Sequence, residues 1–254
     1  MPLPRYHRAF LCHELFHHKK RRKSMKRIGF LFGFLIAFGG LALALQSPDL
    51  QQKAAAAKEA AARNQQALRS YSWITKTELS VKGEVKNTKL ESCQYGPDGK
   101  VQKTELSEPP PPPQQQRGLK GKIVAKKTGE MKEELQASAA LVHSYVPPAP
   151  EKLQAVIAAG KVTISPGPGA AAIRFADYEK AGDSLTLTLD SEAKTMRQIA
   201  VDTWLDKPET KVTLAVSFQS LPDGTNYAAE TLLKIPGDNI EVRIGNSNYQ
   251  KVAP

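Results

Sequence analysis

The sequence predicts an α+β fold: a strongly curved antiparallel β-sheet, an incomplete barrel, covered on its apolar face by about three helices. Three observations predict it. From Lys161 to Val252 apolar residues recur with a period of two, which means one buried and one wet face per strand. Turn formers at short spacing (Ala181-Gly182-Asp183, Asp206-Lys207-Pro208, Pro222-Asp223-Gly224, Pro236-Gly237-Asp238) separate these runs, so neighbouring strands pair as a meander. Ahead of the meander lie segments with helical periodicity, available to cover the apolar face.

In chain order, the first element is a leader. The basic run His17 to Lys23, then Met25-Lys26-Arg27, precede the apolar stretch Ile28 to Leu45, which ends in Ala42-Leu43-Ala44. This is the layout of a secretory signal with a small-residue cleavage site, and it predicts cleavage after Ala44. Residues 1–44 are therefore read as leader and signal peptide. Met25 is a conventional signal start, so residues 1–24 are expected to carry no fold. The alternative is an uncleaved anchor, since about 18 apolar residues is the lower edge for a spanning helix. Either way the basic flank stays cytoplasmic and the remainder is exported, to the periplasm or tethered to the inner membrane.

Residues 45–254 are then one domain. Ser47-Pro48-Asp49 supplies an N-cap, a first-turn proline and an acid, predicting a helix over about 50–69 with a thin, mostly alanine stripe. Tyr71, Trp73, Thr75, Thr77, Leu79 and Val81 share a parity and predict the first strand. A second strand follows from about Val85 to Tyr95, closed by Gly96-Pro97-Asp98-Gly99, and a third from Lys100 to Leu106. Pro109 to Pro113 forbids helix and sheet, so 107–118 reads as an extended Pro-rich loop.

Arg117, Lys120, Lys122, Lys126 and Lys127 come with no acid between them. They read either as a contact for anionic lipid headgroups at a membrane surface or as a solvated face. Glu130, Glu133 and Glu134 then load the start of a second helix over 130–145, with Met131, Leu135, Ser138, Val142 and Tyr145 inward. A third helix, 150–159, opens on Pro150 and carries Leu153, Val156 and Ile157. In the meander, the inward sets include Leu185, Leu187 and Leu189; Val212, Leu214, Val216 and Phe218; Tyr227, Ala229, Thr231, Leu233 and Ile235; and Ile240, Val242 and Ile244.

Charge and chemistry narrow the function. The formal net charge of +11 is mostly leader: residues 1–27 hold nine Lys or Arg and one acid, leaving 27 basic and 24 acidic residues elsewhere, or +3. A nucleic-acid binder would carry the excess on its folded domain, so none is expected as partner. Beyond the leader there is one cysteine, Cys93, and one histidine, His143. Those two give no zinc constellation, triad or Cys–His pair, and no phosphate-cradling or dinucleotide motif is present. Cys93 reads as a small buried residue in a strand, with a reactive thiol as the alternative. The aspartates at 98, 183, 206, 223 and 238 sit in turns, where Asp is favoured for local hydrogen bonds. No enzyme activity and no cofactor are expected.

The architecture resembles the periplasmic lipoprotein-carrier and lipoprotein-receptor superfamily. The texture that carries the resemblance is Ser70-Tyr71-Ser72-Trp73 leaving the first helix, Val201-Asp202-Thr203-Trp204-Leu205-Asp206 leading into Val212–Phe218, and the terminal Val242-Arg243-Ile244-Gly245-Asn246-Ser247-Asn248-Tyr249. The resemblance covers most of 47–252, with the polyproline insertion as a departure. It implies a half-barrel curved round helices, with acyl chains in the apolar space between, and Arg174 as candidate for an interior arginine. On this reading the cavity walls are Trp73, Ile173, Phe175, Leu187, Val201, Leu214, Val216 and Phe218. The expected function is an exported envelope protein that binds lipid or acylated protein in that cavity. The alternative is a non-enzymatic protein-binding or sensor module with a closed core.

Overall fold

In the computed structural model residues 59–106 and 119–252 are described. The leader, the first helix's start and the Pro-rich loop with Arg117 lie outside them. Helix α1 is seen over 59–68. It is followed by β1 (Tyr71–Val81), β2 (Glu84–Tyr95) and β3 (Val101–Glu105), then α2 (Leu119–Val142) and α3 (Pro150–Ala158). The meander is β4 (Val162–Gly167), β5 (Ala170–Ala176), β6 (Ser184–Asp190), β7 (Met196–Trp204), β8 (Lys211–Ser220), β9 (Asn226–Ile235) and β10 (Ile240–Lys251). A short 3-10 turn, Pro236–Asp238, joins the last two.

All ten strands form one antiparallel, curved open sheet in the order β3-β2-β1-β10-β9-β8-β7-β6-β5-β4. The chain therefore lays down three strands, crosses by two helices to the far edge, and returns strand by strand until β10 pairs with β1. Alternation sets the register: Leu185, Leu187, Val201, Val212, Leu214 and Val216 are all buried, as a two-residue period requires. Their common side is called the inner face below.

Three expectations need correction. Helix α2 begins at Leu119, eleven residues before the acidic cluster at Glu130, and ends at Val142. No proline lies between Pro113 and Pro147, and the Lys, Ala, Ile and Val of 119–127 tolerate a helix. The basic run is thus largely helical, with Lys126 paired to Glu130 at 3.7 Å one turn on. In β9 the predicted parity changes at Ala229. Ser217 faces Glu230 but Phe218 faces Ala228, so a β-bulge leaves Ala229 unmatched and pairs Tyr227 with Gln219. Arg174 is exposed on β5, because it alternates with Ile173 and Phe175. It is not an interior arginine.

The helices are fixed at a few points. Asn64 of α1 and Asn226 of β9 form a reciprocal pair: the Asn64 amide donates to the Asn226 carbonyl at 2.8 Å, and the Asn226 backbone N–H donates to Asn64 Oδ1 at 2.6 Å. Two buried side chains of α3, Leu153 and Val156, face inward, and the Ala149 N–H ahead of it donates to the Tyr178 hydroxyl at 2.8 Å. Burial pushes the Tyr178 hydroxyl up to about 12, opposed by that bond.

A carboxyl pair joins α2 to the 3-10 turn, Glu134 being hydrogen-bonded to Asp238. Burial, with the bond and charge of Asp238, pushes the Glu134 carboxyl up to about 7. An acid whose folded pKa lies above its unfolded value, about 4.3, adds stability that is complete below that value. The stability is lost as pH rises through about 7. Glu134→Gln keeps the hydrogen bond without the proton. It should therefore melt above the wild type at pH 8 and lose that advantage at pH 4. Thermal melts at the two pH values check this, and an equal offset at both would refute the linkage.

Candidate functional site: the inner face of the sheet

The candidate site is built from cross-strand rows. One row runs Ile164, Ile173, Leu187, Ile199, Val216, each directly opposite the next, and continues through Thr231 and Ile244. Beside it runs Val162, Phe175, Leu185, Val201, Leu214, continuing through Leu233 and Val242. These rows bring together six of the eight residues expected to line a cavity. Phe175, Leu187, Val201, Leu214 and Val216 are at most 2% exposed, whereas Ile173 is half-buried. Phe218 continues the set on β8 beside the β9 bulge and is half-buried. Trp73 lies apart: β10 and β9 separate its strand from β8.

Helix α2 contributes little glue. Over 126–142 its buried side chains are Ser138, Ala139 and Val142, while Met131, Glu134, Leu135 and Leu141 are half-buried. Ser138 Oγ is fully buried and makes no hydrogen bond among the described residues. Leaving a hydroxyl dry costs about 1–3 kcal/mol, so the burial of α2 at this point carries a local penalty. The helix is held instead from beyond its C-terminus. Tyr145 is fully buried, its hydroxyl donating to Asp183 and lying 2.7 Å from Thr203 Oγ1 on β7. Burial and the Asp183 carboxylate raise that phenol well above the usual tyrosine range.

At β1–β3 the inner face turns polar and aromatic. Thr75 is the hub: Trp73 Nε1 donates to its hydroxyl at 3.1 Å, Asn246 Oδ1 accepts from it at 2.7 Å, and Cys93 Sγ lies 3.3 Å away. Cys93 is fully buried in β2, and burial pushes its thiol up, as a non-reactive strand cysteine requires. Glu91 is also buried, and Lys89 and Lys103 approach it at 2.6 and 3.3 Å. Burial alone would raise its carboxyl, but the two lysines outweigh this and hold it low.

Around Trp73 the aromatic rings collect. Tyr249 stacks on the indole at 5.6 Å and 12°, and Tyr95 tilts against it at 5.5 Å. Tyr227 and Tyr71 reach Tyr249 at 4.3 and 6.2 Å. Tyr71 donates to Asp223 at 2.5 Å, and that bond, with the Thr225 side chain and N–H, holds Asp223 far below the usual carboxylate range. Sequence reading missed this cluster; its legible signal was aromatics at the ends of four separate strands. Among the described residues no group of three His, Cys, Asp or Glu is placed to hold a metal ion, and no helix is long and apolar enough to cross a membrane.

No protein-family model matches the chain, and no curated protein matches it. Among solved structures it is similar to a DUF1329 family protein from Desulfovibrio piger, at 10% sequence identity and a TM-score of 0.35, over 78% of this chain and 92% of that one.

Proposed function

We propose that this is an exported, non-enzymatic envelope protein that takes up acyl chains, of lipid or of acylated protein, between the inner face and α2. The observation that carries this reading is the mismatch between the two sides of that contact. The sheet offers two continuous apolar rows, whereas the buried side chains of α2 over 126–142 are two small residues, Ser138 and Ala139, and one valine, with Met131, Leu135 and Leu141 only half-buried. An acyl chain gains about 0.8 kcal/mol per buried methylene, so a dozen methylenes outweigh what those three side chains contribute. The exposed Lys126 and Lys127 on α2 would meet anionic headgroups at the membrane.

A second reading keeps the core closed, and the very low exposure of Leu187, Val201 and Val216 favours it. On that reading the fold is a module that binds another envelope protein by its outer face.

Val216→Trp separates the two, because it fills volume on the inner face without adding charge. The acyl reading expects the wild-type domain to retain envelope lipid in native mass spectrometry, and Val216→Trp to lose most of that uptake while remaining folded. A folded Val216→Trp protein that binds lipid as the wild type does would place the ligand elsewhere. A wild type that takes up no lipid leaves the protein-binding module.

A further inference from the structure

The two edges of the sheet are unlike. At one edge β3 carries Lys103 and Glu105, and Lys103 is drawn into the ion pairs of Glu91. Charges of this kind blunt an edge against further pairing. At the other edge, among the described residues, β4 pairs on one side only, with β5, and residues 162–173 contain no charge at all. Ile164, in the middle of β4, is 67% exposed, and it stands at the open end of the row Ile173–Leu187–Ile199.

Hydrogen bonding fixes what this edge offers. The Ala176 N–H donates to the Lys161 carbonyl at 2.9 Å, and the Asp177 N–H to the Asp183 carbonyl. Even-numbered residues of β5 therefore bond to β4 and odd-numbered ones to β6. In β4 the odd residues face β5, and the N–H and C=O of Val162 and Ile164 point outward. Pro166 is the next outward position, and there a ring replaces the N–H.

We propose that β4 is a homodimer edge, pairing antiparallel with β4 of a second copy across a two-fold axis at Thr163. In that register Val162 of each copy is opposite Ile164 of the other, so four backbone hydrogen bonds form and each outward N–H meets an outward C=O. Pro166 then falls beyond the pairing. A shift to an axis at Ile164 would set the Pro166 ring against the backbone of Val162 and hold the strands apart.

Charge also favours a second copy at this place. Copies of one chain repel wherever they are charged, and here β4 itself is neutral, while Lys161 at its start is paired to Asp177 at 2.9 Å. Arg174, across from Thr163, would stand three strand spacings, about 14 Å, from its mate, beyond the screening length of about 8 Å. So short a strand pair buries less than the roughly 1,200 Å² of a permanent complex, which makes the dimer weak and concentration-dependent. It would bury Ile164 and carry the apolar rows of one copy into those of the other. The inference stands independently of acyl-chain binding.

The test uses the full chain carrying Cys12→Ser, with Cys93 left in the core. In sedimentation equilibrium up to about 1 mM, a concentration matched to weak self-association, the wild type should approach the dimer mass. Ile164→Pro removes an outward N–H that β5 does not use, and should raise the dissociation constant at least tenfold with unchanged far-UV circular dichroism. Thr163→Cys places two thiols on the axis at a non-hydrogen-bonded pair, about 4.5 Å between Cα atoms, so it should cross-link on oxidation. Ser165→Cys, opposite Lys161 of the other copy, should not. A wild type that stays monomeric throughout, a dimer indifferent to Ile164→Pro, or cross-linking at Ser165→Cys equal to that at Thr163→Cys would each overturn the proposal.

Discussion

Asp183→Ala is expected to lower the stability of this protein by about 3–5 kcal/mol, the range found when one partner of a buried charged network is removed. Asp183 is 1% exposed at the entry to β6. Its Oδ1 accepts from the Tyr178 N–H at 2.6 Å, and its Oδ2 from the N–H groups of Glu179 and Lys180 at 3.1 and 3.0 Å. The Tyr145 hydroxyl, from the far end of α2, donates to the same Oδ2. Alanine would orphan three backbone donors at once and leave the Tyr145 phenol with Thr203 as its one partner, in a place too enclosed for water to serve them all. The loop would lose its shape and α2 its tether together. Asp183→Asn retains one acceptor oxygen and should cost less, and Tyr145→Phe, which removes only the phenol, less again. Urea midpoints at constant m-value rank the three variants. A loss below about 1 kcal/mol for Asp183→Ala would mean that the carboxylate is not what organises the loop.

How much of this was legible in the sequence follows from how local each signal is. The strands β6, β8 and β10 were readable because Leu185–Leu189, Val212–Phe218 and Ile240–Ile244 alternate without interruption, and a two-residue period is fixed by the backbone itself. The bulge at Ala229 was not readable, since its cause lies in pairing with β8 and the adjacent Ala228 and Ala229 do not mark which of them is the extra residue. The start of α2 failed for a related reason: a run of like charges suggests a loop, but a partner at i+4 and no proline suffice for a helix. The placing of Asp183 in a turn was sound, and three of its bonds are indeed within five residues. Its fourth, to Tyr145, spans 38 positions and leaves no local mark. At the candidate site the six row residues came from alternation alone, while Trp73 required knowledge of strand order. It shares the inner parity, yet β1 pairs with β10, where the rows end in Val242 and Ile244, and β10 and β9 separate it from β8.

That displacement makes Trp73 the second informative position. Trp73→Ala is expected to cost about 3–5 kcal/mol, the usual penalty for emptying a large aromatic site, because the ring is 8% exposed and lies between Tyr249 and Tyr95. Trp73→Phe separates the ring from its polar handle. It retains an aromatic face for Tyr249 but loses the Nε1 donor to Thr75, whose hydroxyl still reaches Asn246 and Cys93. The cost should then fall to about 1–2 kcal/mol, one hydrogen bond plus some lost packing. Chemical denaturation gives both values, and Trp73 can be followed directly. The chain has two tryptophans, so in a Trp204→Phe background the fluorescence reports on this cluster alone. The functional consequence differs from that of Val216→Trp. Two strands lie between Trp73 and the apolar rows on β8, so Trp73→Phe should leave acyl-chain uptake unchanged in native mass spectrometry. If Trp73→Phe abolished uptake while the protein remained folded, the ligand would have to extend across β9 and β10 to the aromatic end, and the site would be the whole inner face rather than its apolar half.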